Sequence, residues 1–208
     1  MVVEPTSPWT VAVRVLCEFG AKTGDLDLRF TPVPSARQGQ AGHVLLGQSE
    51  PAPYETEVPL QGTWQNLTVR GRADGYCPTS NRVDEFKTHR GDLTRQPANH
   101  RALHWAQAKV YGWLLCDSRG LASVDVSLVY LDVASQQTTR FTQTCDATEL
   151  AAHFATLCVR YADWAAQEAT HRAARDDALA TLAFPQPSFR AGQRELASDV
   201  YRAAVQAC

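Results

Sequence analysis

GRADGYCPTSNRVDEFKTHRG, residues 71–91, reads as a strand ending near Asp74, a turn at CPTSN and a short second strand, VDEFK. In a strand, side chains at i and i+2 share a face, so Glu85 and Lys87 project together while Phe86 points the other way, toward a core. If the two strands pair through the turn, Asp74 comes close to Glu85. Two carboxylates beside an ammonium suit a hard divalent cation, Mg2+ or Mn2+, because without it the anions repel and one tends to protonate. A cation held there can activate water and neutralise charge developing on a phosphoryl group. The same residues also describe a surface hairpin carrying a salt bridge, and their spacing alone does not separate the two readings.

Outward from this segment the pattern is that of an α/β chain with a central mixed β-sheet flanked by α-helices. Residues 9–31 alternate apolar and polar on both sides of a glycine-bearing turn, which predicts an N-terminal β-hairpin. Pro32 and Pro34 break it, and Ser35 is placed to cap a helix through about Leu46. Strands are expected over 54–60, 66–74 and 82–88, then a helix from Pro97 or Asn99 to Leu115. Residues 123–133 and 136–144 suggest a second hairpin. The stretch 147–183, rich in Ala, Leu and charge, suggests one long helix or two with a bend. Pro185 and Pro187 stop it before a last amphipathic helix. The expected division is a hairpin extension over 1–34, a main domain over 35–183 and a linker with a further region over 184–208.

With 208 residues, 44% of them hydrophobic, the chain can bury a core without disulfides. The six cysteines are scattered, with no CxxC pair, and read as reduced thiols. The N-terminal residues lack the basic and apolar regions of a signal peptide, and no apolar run approaches a membrane span, so a soluble cytoplasmic protein without membrane contact is expected. A net charge of −2 argues against a generally basic nucleic-acid-coating surface. Between Arg70 and Arg101, however, seven Lys or Arg face four Asp or Glu, with His89 and His100 in addition, so this segment expects an anionic partner.

On the helix predicted over 97–115, Gln107 and Tyr111 stand at i and i+4, hence on one face. By themselves they read sooner as half-buried packing and a solvated neighbour. His43, following Gly39 and Gly42 on the earlier helix, by itself reads sooner as a structural or exposed residue. Together, HVLL after a glycine-bearing helix start, GRADGY, VDEFKT and QAKVY resemble the ordered motifs of the RecB/AddB-type branch of the PD-(D/E)xK nucleases, over roughly residues 35–183. The resemblance implies a restriction-endonuclease-like core and phosphodiester hydrolysis. It implies His43, Asp74 and Glu85 as metal ligands with the Phe86 carbonyl beside them, Lys87 as the catalytic lysine, and Gln107 and Tyr111 as residues that contact DNA or order the site. An imidazole among carboxylates makes Mn2+ as acceptable as Mg2+. The proline of the family name is replaced by Ala73. Several relatives hold a [4Fe–4S] cluster, but the cysteines here lack the close C-terminal grouping it needs, so no Fe–S cluster is expected.

The tail, FPQPSFRAGQRELASDVYRAAVQA, resembles the opening of the helicase core in DinG/XPD-like proteins, although no GxxxxGK[ST] loop occurs to hold phosphates. The joint resemblance implies the nuclease part of a nuclease–helicase, with a helicase domain in cis and single-stranded or flapped DNA as substrate. Arg37, Arg72 and Arg90 are candidate DNA contacts. A non-cleaving DNA-binding accessory domain is the competing expectation; its mark would be a broken ligand set, and this set is complete.

Overall fold

A computed structural model of the chain describes residues 9–24, 34–183 and 187–206. The expected architecture, a central mixed sheet flanked by helices, is observed. In chain order, β1 (Trp9–Ala12) runs into α1 (Val13–Gly20), followed by α2 (Ala36–Ser49), β2 (Glu55–Trp64), β3 (Leu67–Cys77) and β4 (Arg82–His89). A short 3-10 turn (Leu93–Arg95) leads to α3 (Ala98–Arg119), β5 (Ser123–Asp132), β6 (Thr138–Asp146), α4 (Ala147–Ala180) and α5 (Gln193–Gln206). Two compact units are distinguished, Met1–Ala166 and Gln167–Cys208, and the division falls inside α4. No helix among the described residues is long and apolar enough to cross a membrane.

The N-terminal hairpin expected from the sequence is corrected by this fold. Val11, Val13 and Val15 alternate as a strand would, but the buried positions are Val13, Leu16, Cys17 and Gly20, with Val15 about half exposed. That is the i, i+3, i+4, i+7 spacing of a helix face, and tertiary burial chooses it over the local alternation. Gly20 packs so closely on α4 that a Cβ there would lie 2.9 Å from Leu157. The second arm of the expected hairpin falls on residues outside those described.

The sheet runs β1-β3-β4-β5-β6, with β2 also on β3. One edge of β3 is taken by antiparallel β2. The other edge is shared: parallel β1 pairs with Leu67–Arg70, and antiparallel β4 pairs with Gly75–Cys77. Among the described residues, 71–74 have no ladder partner on that edge, so the sheet is split where β1 and β4 diverge. Across β3, the ladder with β2 is also interrupted opposite Asp74, where Glu57 adopts φ 53°. A non-glycine residue held in that region costs on the order of 1 kcal/mol, which the surrounding β2–β3 pairing offsets.

The larger core lies between the sheet and α1, α3 and α4, and includes Val13, Leu16, Val69, Leu114, Leu128, Leu150 and Phe154. Leu46, Phe86, Val129 and Leu131 form a smaller core under α2. Ser35 caps α2 as expected, and does so reciprocally: its side chain accepts from Gln38 N while Gln38 Oε1 accepts from Ser35 N at 3.0 Å. Gly42 lets α2 approach β4, since a Cβ would lie 2.5 Å from Thr88 Cγ2 and 3.1 Å from Leu131 Cδ2. Overpacking of that kind typically costs 1–3 kcal/mol, so Gly42→Ala is expected to destabilise by about that much in urea denaturation. A loss below about 0.5 kcal/mol would show that α2 is free to lift.

Candidate active site

The split in the sheet opens a cavity of about 600 Å³ lined by His43, Asp74, Glu85, Lys87, Gln107 and Tyr111 among others. Each element contributes for a local reason. α2, held close to β4 by Gly42, brings His43 to Asp74, with Nδ1 and Oδ1 3.2 Å apart. The His43 ring stands edge-on to Phe86 at 5.9 Å. Asp74 Oδ2 accepts the Phe86 N–H at 2.6 Å, so a carboxylate bridges the two strands one residue past the end of the β3–β4 ladder.

On β4, Glu85 and Lys87 share a face as their spacing predicts, and Lys87 Nζ donates to Glu85 Oε1 at 2.6 Å. Phe86 turns the other way, into the small core under α2. Glu85 is only 3% exposed. Burial pushes its carboxyl up to about 7, against the opposing pull of Lys87. The hydrogen bond to Asp74 raises His43 above the ordinary imidazole range.

α3 supplies the opposite wall. Gln107 Oε1 accepts from Lys87 Nζ at 3.2 Å, and Tyr111 follows one turn on along the same face of α3. Burial raises the Tyr111 hydroxyl above its ordinary range, so it stays protonated. The hydroxyl packs on the unpaired stretch of β3, where a Cβ on Gly71 would lie 2.7 Å away.

Of the arginines expected at DNA, Arg72 borders the cavity and lies 3.6 Å from Glu57. Arg37 is exposed on α2, and Arg90 donates to Gln38 Oε1 at 3.0 Å; neither borders the cavity. The sequence reading missed Arg14, Cys17, Glu18 and Lys22, which line it because α1 starts at the split. The Arg14–Glu18 pair, 2.7 Å apart at i, i+4, was a helix signal inside the supposed strand. It also missed His100 and His104, although both continue the face of α3 that carries Gln107 and Tyr111.

His104 is enclosed, and burial with Lys87, His100 and Arg101 nearby depresses it to about 3. The folded value lies below the ordinary one, so the unfolded chain binds this proton more readily and stability falls as pH drops below about 6.5. Between pH 7 and 5 the residue is expected to remove about 1–2 kcal/mol of stability. Urea titrations of the wild type and His104→Asn should diverge by that amount over this interval, and parallel curves would contradict a buried neutral ring.

Asp84, between Val83 and Glu85 in sequence, belongs elsewhere. It is 1% exposed and faces away from the cavity. Arg82 Nε, Arg140 Nη1 and Tyr54 OH reach it at 2.9, 2.6 and 2.9 Å. Glu50 pairs with the same two arginines.

The donor set bears on a metal. His43, Asp74 and Glu85 border one cavity, but no three His, Cys, Asp or Glu side chains among the described residues stand together as a ready-made metal-binding group. A buried carboxylate driven toward protonation, beside a second carboxylate, favours one more positive charge. The residues therefore fit a hard cation held by few protein ligands and several waters, the Mg2+ habit, rather than a closed cage. The described cysteines 17, 77, 116, 145 and 158 are buried free thiols.

No protein-family model and no curated protein matches the chain. Among solved structures, it is similar to a phage-related exonuclease from Haemophilus somnus 129PT, with 14% identity and a TM-score of 0.47 over 77% of this chain and 82% of that one. It is also similar to an alkaline exonuclease (LHK-Exo) from Laribacter hongkongensis, with 11% identity and a TM-score of 0.47 over 80% of this chain and 94% of that one.

Proposed function

We propose that the chain is a divalent-metal-dependent DNA nuclease of the PD-(D/E)xK type, RecB/AddB-like, that hydrolyses phosphodiester bonds. The observation that carries this reading is the split in the sheet, which gathers His43, Asp74, Glu85 and Lys87 about one cavity. His43, Asp74 and Glu85, with the Phe86 carbonyl, would hold Mg2+ or Mn2+. When bound, such a cation lowers the pKa of water and offsets charge on the phosphoryl oxygens. Lys87 opposes the protonation of Glu85 that burial favours, and supplies positive charge where the phosphate becomes more anionic. Gln107 fixes the position of the Lys87 ammonium through its side-chain oxygen. Arg72, Arg14 and Lys22 line the approach of a polyanion, with Arg37 and Arg90 as outer contacts.

Single-stranded or flapped DNA is the proposed substrate. The reading extends to the nuclease part of a nuclease–helicase acting in DNA repair or processing, on the likeness of residues 184–207 to a helicase opening. In the second unit, Arg190 N donates to Gln193 Oε1 at 3.1 Å, and Arg194 lies over the Phe189 ring at 5.8 Å.

End-labelled single- and double-stranded DNA incubated with the purified chain tests the proposal. Cleavage is expected with Mn2+ or Mg2+, faster on the single strand, and none with EDTA. Cleavage that persists in EDTA overturns the metal mechanism. Binding without cleavage under either metal supports the accessory-domain alternative.

A further inference from the structure

His104 precedes Gln107 by one turn of α3, so its ring borders the same cavity. Nδ1 lies 2.8 Å from the hydroxyl of Tyr130, a fully buried residue near the end of β5. Among the described residues the hydroxyl makes no other hydrogen bond, and the side-chain oxygen of Gln96 stands without a partner. A buried phenol proton needs an acceptor, so Tyr130 directs its proton at His104. Nδ1 is then the acceptor, and a neutral imidazole in that state carries its own proton on Nε2. Among the described residues Nε2 has no partner, and unlike Gln96 Oε1 and Arg101 Nε it is not enclosed. It therefore reaches the cavity.

We infer that His104 presents Nε2–H as a neutral hydrogen-bond donor to a non-bridging phosphate oxygen of a DNA strand lying in this cavity. The inference rests on the nuclease reading above and adds a substrate contact to it. Phosphate is favoured over a base because four cationic side chains, Arg14, Lys22, Arg72 and Lys87, line the cavity against the carboxylates of Glu18, Asp74 and Glu85. An uncharged donor adds a hydrogen bond to the phosphate without setting a second cation against Lys87, whose charge already acts on this ring. Tyr130 is the positioning residue in this scheme: it reaches no substrate but holds the tautomer that does.

Two measurements test it. In a long-range proton–nitrogen NMR spectrum of 15N-histidine-labelled protein, His104 is expected as the Nε2–H tautomer; the Nδ1–H tautomer overturns the inference whatever the chain does to DNA. The second is fluorescence anisotropy in EDTA with labelled oligo(dT) and oligo(dA). His104→Asn keeps an acceptor near Nδ1 and leaves nothing at Nε2, so it is expected to bind both about tenfold more weakly. His104→Gln keeps an N–H near Nε2 and is expected to retain most of the affinity. A loss confined to one homopolymer indicates a base contact and overturns the phosphate assignment. Equal affinities of the wild type and His104→Asn overturn the inference alone, whereas a wild type that binds neither oligonucleotide overturns the nuclease reading with it.

Discussion

Asp74→Asn and Lys87→Ala are each expected to slow DNA cleavage at least about a hundredfold, the loss associated with even outer-shell changes at metal sites. Asp74→Asn is the sharper probe, because an amide oxygen still accepts the Phe86 N–H that joins the two strands. The fold is thereby kept while the charge that completes the cation site is removed. Lys87→Ala acts from the other side. It leaves Glu85, 3% exposed, without its 2.6 Å partner, and such a carboxyl takes up a proton instead of binding a cation. Rates followed on end-labelled DNA, with circular dichroism to check the fold, decide the matter. Near wild-type cleavage by either variant would remove these residues from the chemistry.

Asp84→Ala should give the opposite pattern, a folded-state loss without a catalytic one. Removing one partner from a buried ion network costs about 3–5 kcal/mol, since the charges left behind are poorly solvated. Here Arg82 and Arg140 would both fall back on Glu50, and the Tyr54 hydroxyl would lose its acceptor. For a unit of this size that corresponds to a drop in Tm of roughly 10 °C in calorimetry. Cleavage per folded molecule, measured well below that Tm, is expected to stay within about threefold of wild type, because Asp84 and Glu85 lie on opposite faces of β4. A Tm within about 2 °C of wild type would show that the network is dispensable.

Much of the site was legible in the sequence because it depends on period and order. Glu85 and Lys87 share a face through the two-residue repeat of a strand, and Gln107 and Tyr111 through the four-residue spacing of a helix. Strands β2 to β6 and helices α2 to α4 lie close to where hydrophobic pattern and turn residues put them. The start of the chain was misread because VAVRVLCEF satisfies both periods locally. Only contact with α3, α4 and β3 selects the helix, burying Leu16 and Cys17 and leaving Val15 in solvent. That error hid Arg14, Glu18 and Lys22 from the list of cavity residues. Arg37 and Arg90 were admitted on nearness in sequence, and that does not measure nearness in space.

By itself the sequence determined which side chains share an element face, since covalent geometry and helix or strand period decide that before any packing occurs. Tertiary structure alone decided that β1 and β4 part along one edge of β3. Neither strand's own residues specify how far its pairing runs; that is settled by where α1 and α2 must sit to bury their apolar faces. The parting leaves Asp74 without a ladder partner among the described residues, and its carboxylate meets His43 and the Phe86 N–H.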